Sequence, residues 1–161
     1  MKYSLFIVFF LSSLFTSLAS CKKEASLPSN PDTEDTNSNN TLNPTGSQMR
    51  IKIGSSTFTA TLYDNATATA FKALLPMTIT MSELNGNEKY FDLADNLPAT
   101  ATNPGTIQNG DLMLYGSNTL VLFYKSFSTS YRYTKLGRIN DTSGLAAALG
   151  SGNVLVTFEL E

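Results

Sequence analysis

The chain has 161 residues, with 11 Lys and Arg against 13 Asp and Glu, a formal charge of −2, no histidine, no tryptophan and one cysteine. Histidine-based triads and the usual zinc sites are excluded, and a lone cysteine allows no internal disulfide. Neither G-x-x-x-x-G-K-S/T nor G-x-G-x-x-G occurs, so no nucleotide-binding loop is expected; nor is a metal, a cofactor or a nucleic acid, since no basic face is in prospect.

The N-terminus carries a targeting signal. Met1-Lys2-Tyr3 supplies a positive charge, and residues 4–18, SLFIVFFLSSLFTSL, are almost wholly apolar. That order is a secretory signal, and it is short for a spanning helix, which needs about 20 apolar residues. Leu18-Ala19-Ser20-Cys21 follows and resembles the lipobox of bacterial lipoproteins, in which the signal is cut before a lipidated cysteine. Residues 1–20 are therefore read as a lipoprotein signal peptide, with Cys21 as the lipid attachment site. The membrane is the partner this implies, since each buried CH₂ of an acyl chain adds about 0.8 kcal/mol. The other reading is an ordinary cleaved signal with a chance cysteine behind it. Known lipoproteins kept in the inner membrane often have aspartate after the cysteine; Lys22 stands there, so the resemblance implies the outer membrane.

Residues 21–48 then read as the lipidated cysteine and a disordered tether. The stretch holds no aromatic residue and consists mostly of Ser, Thr, Asn, Pro and acids. It cannot bury enough apolar surface to offset its ordering entropy.

From residue 49 to 161 the composition turns globular. This stretch holds 12 aromatic residues, with 8 Lys and Arg and 9 Asp and Glu. Residues 58–63 form a strand of weak alternation; 77–82 alternate cleanly, with Met77, Ile79 and Met81 inward. Asn85-Gly86 is a strong hairpin signal, and 88–93 form the returning strand. Residues 98–110, rich in Thr, Asn, Pro and Gly, are a loop, with Asp111 pinning its turn. Strands over 111–115 and 119–124 make a second hairpin around Gly116-Ser117-Asn118; 133–139 and 154–160 complete the set. One helix follows Asp64-Asn65, with Ala70, Phe71 and Leu74 on one face and Pro76 as its stop. A second is capped by Asp141 and ended by Gly150, with Leu145 and Leu149 one turn apart. Seven or eight short strands and two helices fit a mainly β, small closed barrel, which leaves no sheet edge exposed.

Candidate site residues cluster late in the chain. Leu120, Leu122 and Tyr124 share one face of their strand, and Val121, Phe123 and Lys125 the other. Apolarity on both faces suits a barrel strand covered outside by a helix. Beyond it, Tyr124, Lys125, Phe127, Tyr131, Arg132, Tyr133, Lys135 and Arg138 surround a Ser/Thr-rich loop. Phe123, Tyr124, Lys125, Tyr131, Arg132 and Tyr133 are the ligand-binding candidates, at a barrel mouth suited to an extended peptide, a carboxylate or a sugar; a solvated rim of snorkelling tyrosines is the alternative. Glu88-Lys89-Tyr90 reads as exposed hairpin charge. Glu88 becomes a general acid or base only if a cleft raises its pKa. No catalytic residue is assigned.

Residues 59–76, TATLYDNATATAFKALLP, resemble the opening of a cyclophilin. The family's strand ending in Leu-Tyr/Phe, acidic turn and T-A-x-N-F-x-x-L helix are matched by Leu62, Tyr63, Asp64, Thr69, Ala70, Phe71 and Leu74. Leu136-Gly137-Arg138-Ile139, followed by a helix at Leu145, is similar to the family's F-G-x-V strand and the helix behind it. The likeness is closer still to small bacterial cyclophilin-like domains and covers nearly all of residues 50–160. It implies a cyclophilin-like barrel over 49–161.

True cyclophilins isomerise X-Pro bonds with an arginine from an F-H-R-x-I strand, a glutamine after it, and an aromatic strand, flanked by tryptophan and histidine. Here F-H-R, tryptophan and histidine are missing, and no Arg or Lys lies between Tyr90 and Asp111. Only Phe123 or Tyr124 matches the aromatic strand. Lowering a barrier of about 18–20 kcal/mol would rest on the pocket alone. The expectation is a lipid-anchored cell-envelope module that binds a peptide or small ligand, including an extended or proline-containing peptide, without a complete isomerase site. The alternatives are a weak peptidyl-prolyl isomerase acting on envelope proteins and a structural accessory with no ligand.

Overall fold

The structure is a computed structural model that describes residues 43–161. The expected signal peptide, Cys21 and the tether up to residue 42 lie outside the described residues.

Ten strands and two helices follow in chain order. They are β1 (Gln48–Ile53), β2 (Ser56–Leu62), α1 (Ala66–Lys72), β3 (Met77–Leu84), β4 (Glu88–Asp92), β5 (Thr106–Ile107), β6 (Asp111–Tyr115), β7 (Thr119–Phe123), β8 (Phe127–Ser128), β9 (Tyr133–Ile139), α2 (Leu145–Leu149) and β10 (Val154–Leu160). Eight of them close an antiparallel barrel in the order β1-β10-β3-β4-β7-β6-β9-β2, and β5 pairs with β8 in a separate ribbon. The mainly β, closed barrel expected from the strand pattern is the fold observed.

Alternation explains most of the wall. Met49, Ile51 and Ile53 of β1 point inward while Arg50 and Lys52 face water. β1 was absent from the expected strands, although its five residues from Met49 alternate cleanly. In β10, Val156 and Phe158 are buried while Leu155 is exposed. β10 lies between β1 and β3, so the C-terminal strand closes the cylinder.

The helices serve opposite ends. α1 joins β2 to β3 where Met77 pairs with Phe158, and α2 leads from β9 into β10 near the β3–β4 hairpin. Phe71 of α1 meets Phe158 edge-on, with ring centroids 5.9 Å apart. Asn65 caps α1 by accepting from the Ala68 N–H at 2.8 Å. The helix is shorter than its pattern suggested: Leu74 falls beyond it and is exposed, and Thr67 and Ala68 are buried with Phe71 instead. Leu145 and Leu149 are both buried, as spaced. Asp141 does not cap α2; it accepts from the Ser143 N–H, and Gly144 holds the N-cap position with φ 80°. Two residues separate Asp141 from the helix cap, so its short side chain is spent on the local turn.

The β3–β4 hairpin fixes a register with consequences on both faces. Asn85 and Gly86 adopt left-handed φ of 56° and 68°, and Leu84 pairs with Glu88. From there Lys89 points into the barrel and Glu88, Tyr90 and Asp92 point out. Lys89 is fully buried, which corrects the expectation of exposed hairpin charge. Its ammonium donates to Glu83 Oε2 and to the carbonyls of Gly150 (2.9 Å) and Gly152 (2.7 Å), and stands 5.4 Å from the Tyr124 ring centroid. All three donors of the ammonium are used, which is why a charge is tolerated there.

β7 is apolar on both faces, as its sequence required. Leu120, Leu122 and Tyr124 join the barrel core; Val121 and Phe123 join a second cluster outside it, with Ile107, Met113 and Tyr133. The cover over that outer face is the β5–β8 ribbon rather than a helix, with Ile107 and Phe127 as register partners in it. A two-residue strand leaves no periodicity to read in sequence.

Candidate functional site

The outer face of β4, β7 and β6 carries a groove of about 390 Å³. Register builds it: Tyr90 pairs with Val121, and Tyr115 pairs with both Thr119 and Tyr133. Tyr115 and Tyr133 have ring centroids 5.5 Å apart, and Tyr131 meets Tyr115 edge-on at 6.2 Å. Beneath them, Phe123 packs edge-on to Tyr133 at 5.5 Å and against Phe127 at 5.8 Å. Such pairs add about 0.5–1.5 kcal/mol each beyond their buried area, so the aromatic surface is held firmly.

The loop of residues 98–110 keeps Tyr133 in place. Thr102 and Tyr133 exchange two backbone hydrogen bonds of 2.9 Å. Arg132 donates to the Ala101 carbonyl from Nε (3.2 Å) and Nη2 (2.8 Å).

Apart from the tyrosine hydroxyls, the groove's polar groups lie at its two ends. At one end Asn85, Asn87 and Glu88 line it; at the other are Asp92 and Thr119, whose hydroxyl donates to Asp92 Oδ1 at 2.7 Å. No Lys or Arg lines the groove. Glu88 is half-buried; burial first, and then the charge of Glu83, push its carboxyl above the usual range. The Glu88 carboxylate has no hydrogen bond or ion pair among the described residues. Asn87 Oδ1 is buried and has no donor. Burial, with the charge of Glu88 next, pushes the Tyr133 phenol up to about 12.

The structure divides the six candidate residues read from sequence. Tyr131 and Tyr133 line the groove on the barrel's outer wall. Phe123 is fully buried below it. Tyr124 turns into the barrel, and its hydroxyl donates to Glu83 with both carboxylate oxygens at 2.8 Å. Lys125 is exposed by Gly86, outside the lining, and Arg132 braces the loop. Tyr90, Tyr115, Asn87 and Asp92 were missed; the outward phase of β4, readable from the Asn85-Gly86 turn, was the signal for two of them.

A second, more polar hollow of about 430 Å³ involves Asn43, Asn109, Arg138 and Asn140. Its guanidinium is directed at Asp111, with Nε 3.8 Å from Oδ1. Asp111 also accepts from the Gln108 N–H at 2.7 Å, the pinning role its sequence context suggested. Among the described residues no group of three His, Cys, Asp or Glu side chains converges to hold a metal ion.

Comparison with known proteins gives three findings. A model of the Cyclophilin-like family matches residues 51–159. The solution structure of a hypothetical protein from Archaeoglobus fulgidus superposes with a TM-score of 0.50 at 18% identity, over 75% of this chain and 99% of that one. No curated protein matches by sequence. At that identity the structural likeness speaks for the fold alone.

Proposed function

The chain belongs to the cyclophilin-like family, and from that premise we propose that it is a membrane-anchored binding module of the cell envelope rather than an isomerase. Lipid on Cys21 holds it to the membrane, the outer one by its Lys22, and the barrel takes a peptide or small ligand in the groove over β4, β7 and β6. The observation that carries this reading is the groove itself, walled by the rings of Tyr90, Tyr115, Tyr131 and Tyr133, with its carboxylates and side-chain amides at its ends. Its volume lies at the lower end of the roughly 300–1,000 Å³ of ligand sites, and a mainly apolar wall with few polar groups is their usual composition. Against an isomerase stands the lining without a guanidinium: Arg132, on the same stretch, is occupied by Ala101.

The test is amide shift mapping on the ¹⁵N-labelled full chain in detergent micelles, with proline tetrapeptides and envelope oligosaccharides as probes. Shifts centred on Tyr90, Val121 and Tyr133 are expected with at least one probe. Shifts confined to the far side of the barrel, or none at all, would overturn the reading. So would strong acceleration of X-Pro relaxation, which takes about 10–100 s uncatalysed and is easily timed.

A further inference from the structure

We propose that the groove selects a basic peptide segment, seating one Lys or Arg side chain with its charged head between Glu88 and Asn87 and its aliphatic stem along Tyr133 and Phe127. This rests on the groove being a binding site and names what it binds.

The acceptors at this end lack donors. The Glu88 carboxylate is half-buried among aromatic rings and has no hydrogen bond or ion pair among the described residues. Beside it in the chain, Asn87 Oδ1 is buried without a donor. Buried polar atoms are rarely left so; of the two, the Glu88 carboxylate faces the groove, and no Lys or Arg lines it to answer that charge. Asp92, at the other end, differs: it is exposed and already holds the Thr119 hydroxyl. The cations nearest to it among the described residues do not supply the need. Lys89 points into the barrel, Arg132 is on Ala101, Lys135 lies over the Tyr63 ring at 5.6 Å, and the Lys125 ammonium lies beside Gly86 outside the lining.

Charge and not just hydrogen bonding is indicated by the surroundings. Glu88 feels the desolvation of its own site and then the neighbouring Glu83, and an arriving cation would compensate for the first and offset the second. The rings of Tyr90, Tyr131, Tyr133 and Phe127 line the same groove. Aromatic faces attract ammonium and guanidinium groups, and they cover the methylene stem that Lys and Arg carry behind their charge. A carboxylate ligand would meet two like charges, Glu88 and Asp92, and no Lys or Arg. Strand geometry sets the size of the occupant: along β4 the outward positions Glu88, Tyr90 and Asp92 repeat every ~6–7 Å, the spacing of alternate side chains in an extended peptide.

The experiment compares the peptides acetyl-Ala-Tyr-Pro-X-Ala-amide with X as Lys, norleucine, Gln or Glu, titrated into the full chain in detergent micelles and followed by amide shifts and by calorimetry. Lys is expected to bind about tenfold tighter than norleucine, the scale of a hydrogen bond to a charged group, and Glu most weakly. That preference should shrink in 1 M salt and vanish in Glu88→Gln, which keeps the shape of the side chain and removes its charge. Retained chemical shifts of Glu88→Gln outside the groove show that the barrel is intact. If norleucine or Gln binds in the groove as tightly as Lys, the basic-segment inference fails while the groove reading stands. If none of the four shifts the groove residues, both fail. A Lys preference that survives Glu88→Gln would also overturn the inference, because the discriminating charge would lie elsewhere.

Discussion

Lys89→Met is the substitution whose outcome depends most sharply on the interior described above. Methionine keeps the length and most of the volume of the stem and removes only the charge and its donors. Three hydrogen bonds are lost, to Glu83, Gly150 and Gly152. Bonds to a charged group are worth about 1.5–3 kcal/mol each, and the avoided burial of an ammonium returns several kcal/mol of that sum. Removing one partner of a buried pair costs about 3–5 kcal/mol on balance. The lower end applies here, because the Glu83 side chain is 20% exposed and keeps the Tyr124 hydroxyl and the Gly86 N–H. The expected loss is about 3 kcal/mol, or about 10 °C in Tm for a domain of this size. Urea titrations of the full chain in detergent, followed by far-UV circular dichroism, measure it. The pH dependence adds a signature. Burial raises the Glu83 carboxyl, but hydrogen bonds from Lys89, Tyr124 and Gly86 outweigh it and leave its pKa lowered from 4.5. A lowered carboxyl pKa contributes stability that is present above the unfolded value and lost as pH falls through the folded one. Wild type should therefore weaken below about pH 4.5, and Lys89→Met should lose less over the same range. A variant at least as stable as wild type at pH 7, with an unchanged acid slope, would refute the reasoning and show that burying the ammonium costs as much as its bonds return.

Two further outcomes follow from other parts of the chain. Gly137→Ala should destabilise the barrel by about 1–3 kcal/mol in the same titration, because a Cβ there would stand 2.8 Å from the Thr61 carbonyl oxygen, which cannot move without opening the β2–β9 pairing. Cys21→Ser should leave an uncut, unlipidated precursor; labelling with a clickable palmitate analogue checks it, and equal labelling of variant and wild type would refute the anchor.

What the sequence disclosed was whatever hydrophobic alternation controls. β7 could be read as two-faced because its apolar residues occupy both phases, and Asn85-Gly86 announced its turn through the left-handed conformation both residues adopt. Legibility failed where a contact distant in sequence decides the outcome. Nothing near Lys89 says that carbonyls about 60 residues later will meet its ammonium. The β5–β8 ribbon has two residues per strand and no pattern to detect. The groove was half-legible for the same reason. Tyr131 and Tyr133 stood out by composition and the Asn85-Gly86 turn set the outward phase of Tyr90, whereas Tyr115 enters through cross-strand register, which a single sequence leaves open.

The groove and the interior are coupled by that register. Glu88 and Lys89 are adjacent, and period-two geometry forces them to opposite faces of β4. A slip of one residue in the β3–β4 pairing would place the Glu88 carboxylate opposite the Gly150 and Gly152 carbonyls and push the Lys89 ammonium into the groove. The first arrangement sets acceptor against acceptor in the core, so it is strongly disfavoured. Lys89 therefore locks the strand in the phase that presents Glu88, Tyr90 and Asp92 outward, whatever the groove's own residues contribute to stability. It follows that the outward side chains Glu88 and Asp92 do not set the phase of the strand that carries them, whereas the site is exposed to faults in a buried side chain that never touches it. Loosening the turn tests this coupling. Gly86→Ala adds a Cβ at φ 68°, a cost of about 1 kcal/mol, with only the flexible end of Lys125 near it at 4.0 Å. With Lys89 in place the register should hold, and the amide shifts of Tyr90 and Val121 should stay at their wild-type values. In Gly86→Ala combined with Lys89→Met those groove shifts should move or broaden, beyond the sum of the single changes. Additive behaviour would mean that the hairpin turn alone sets the phase of β4.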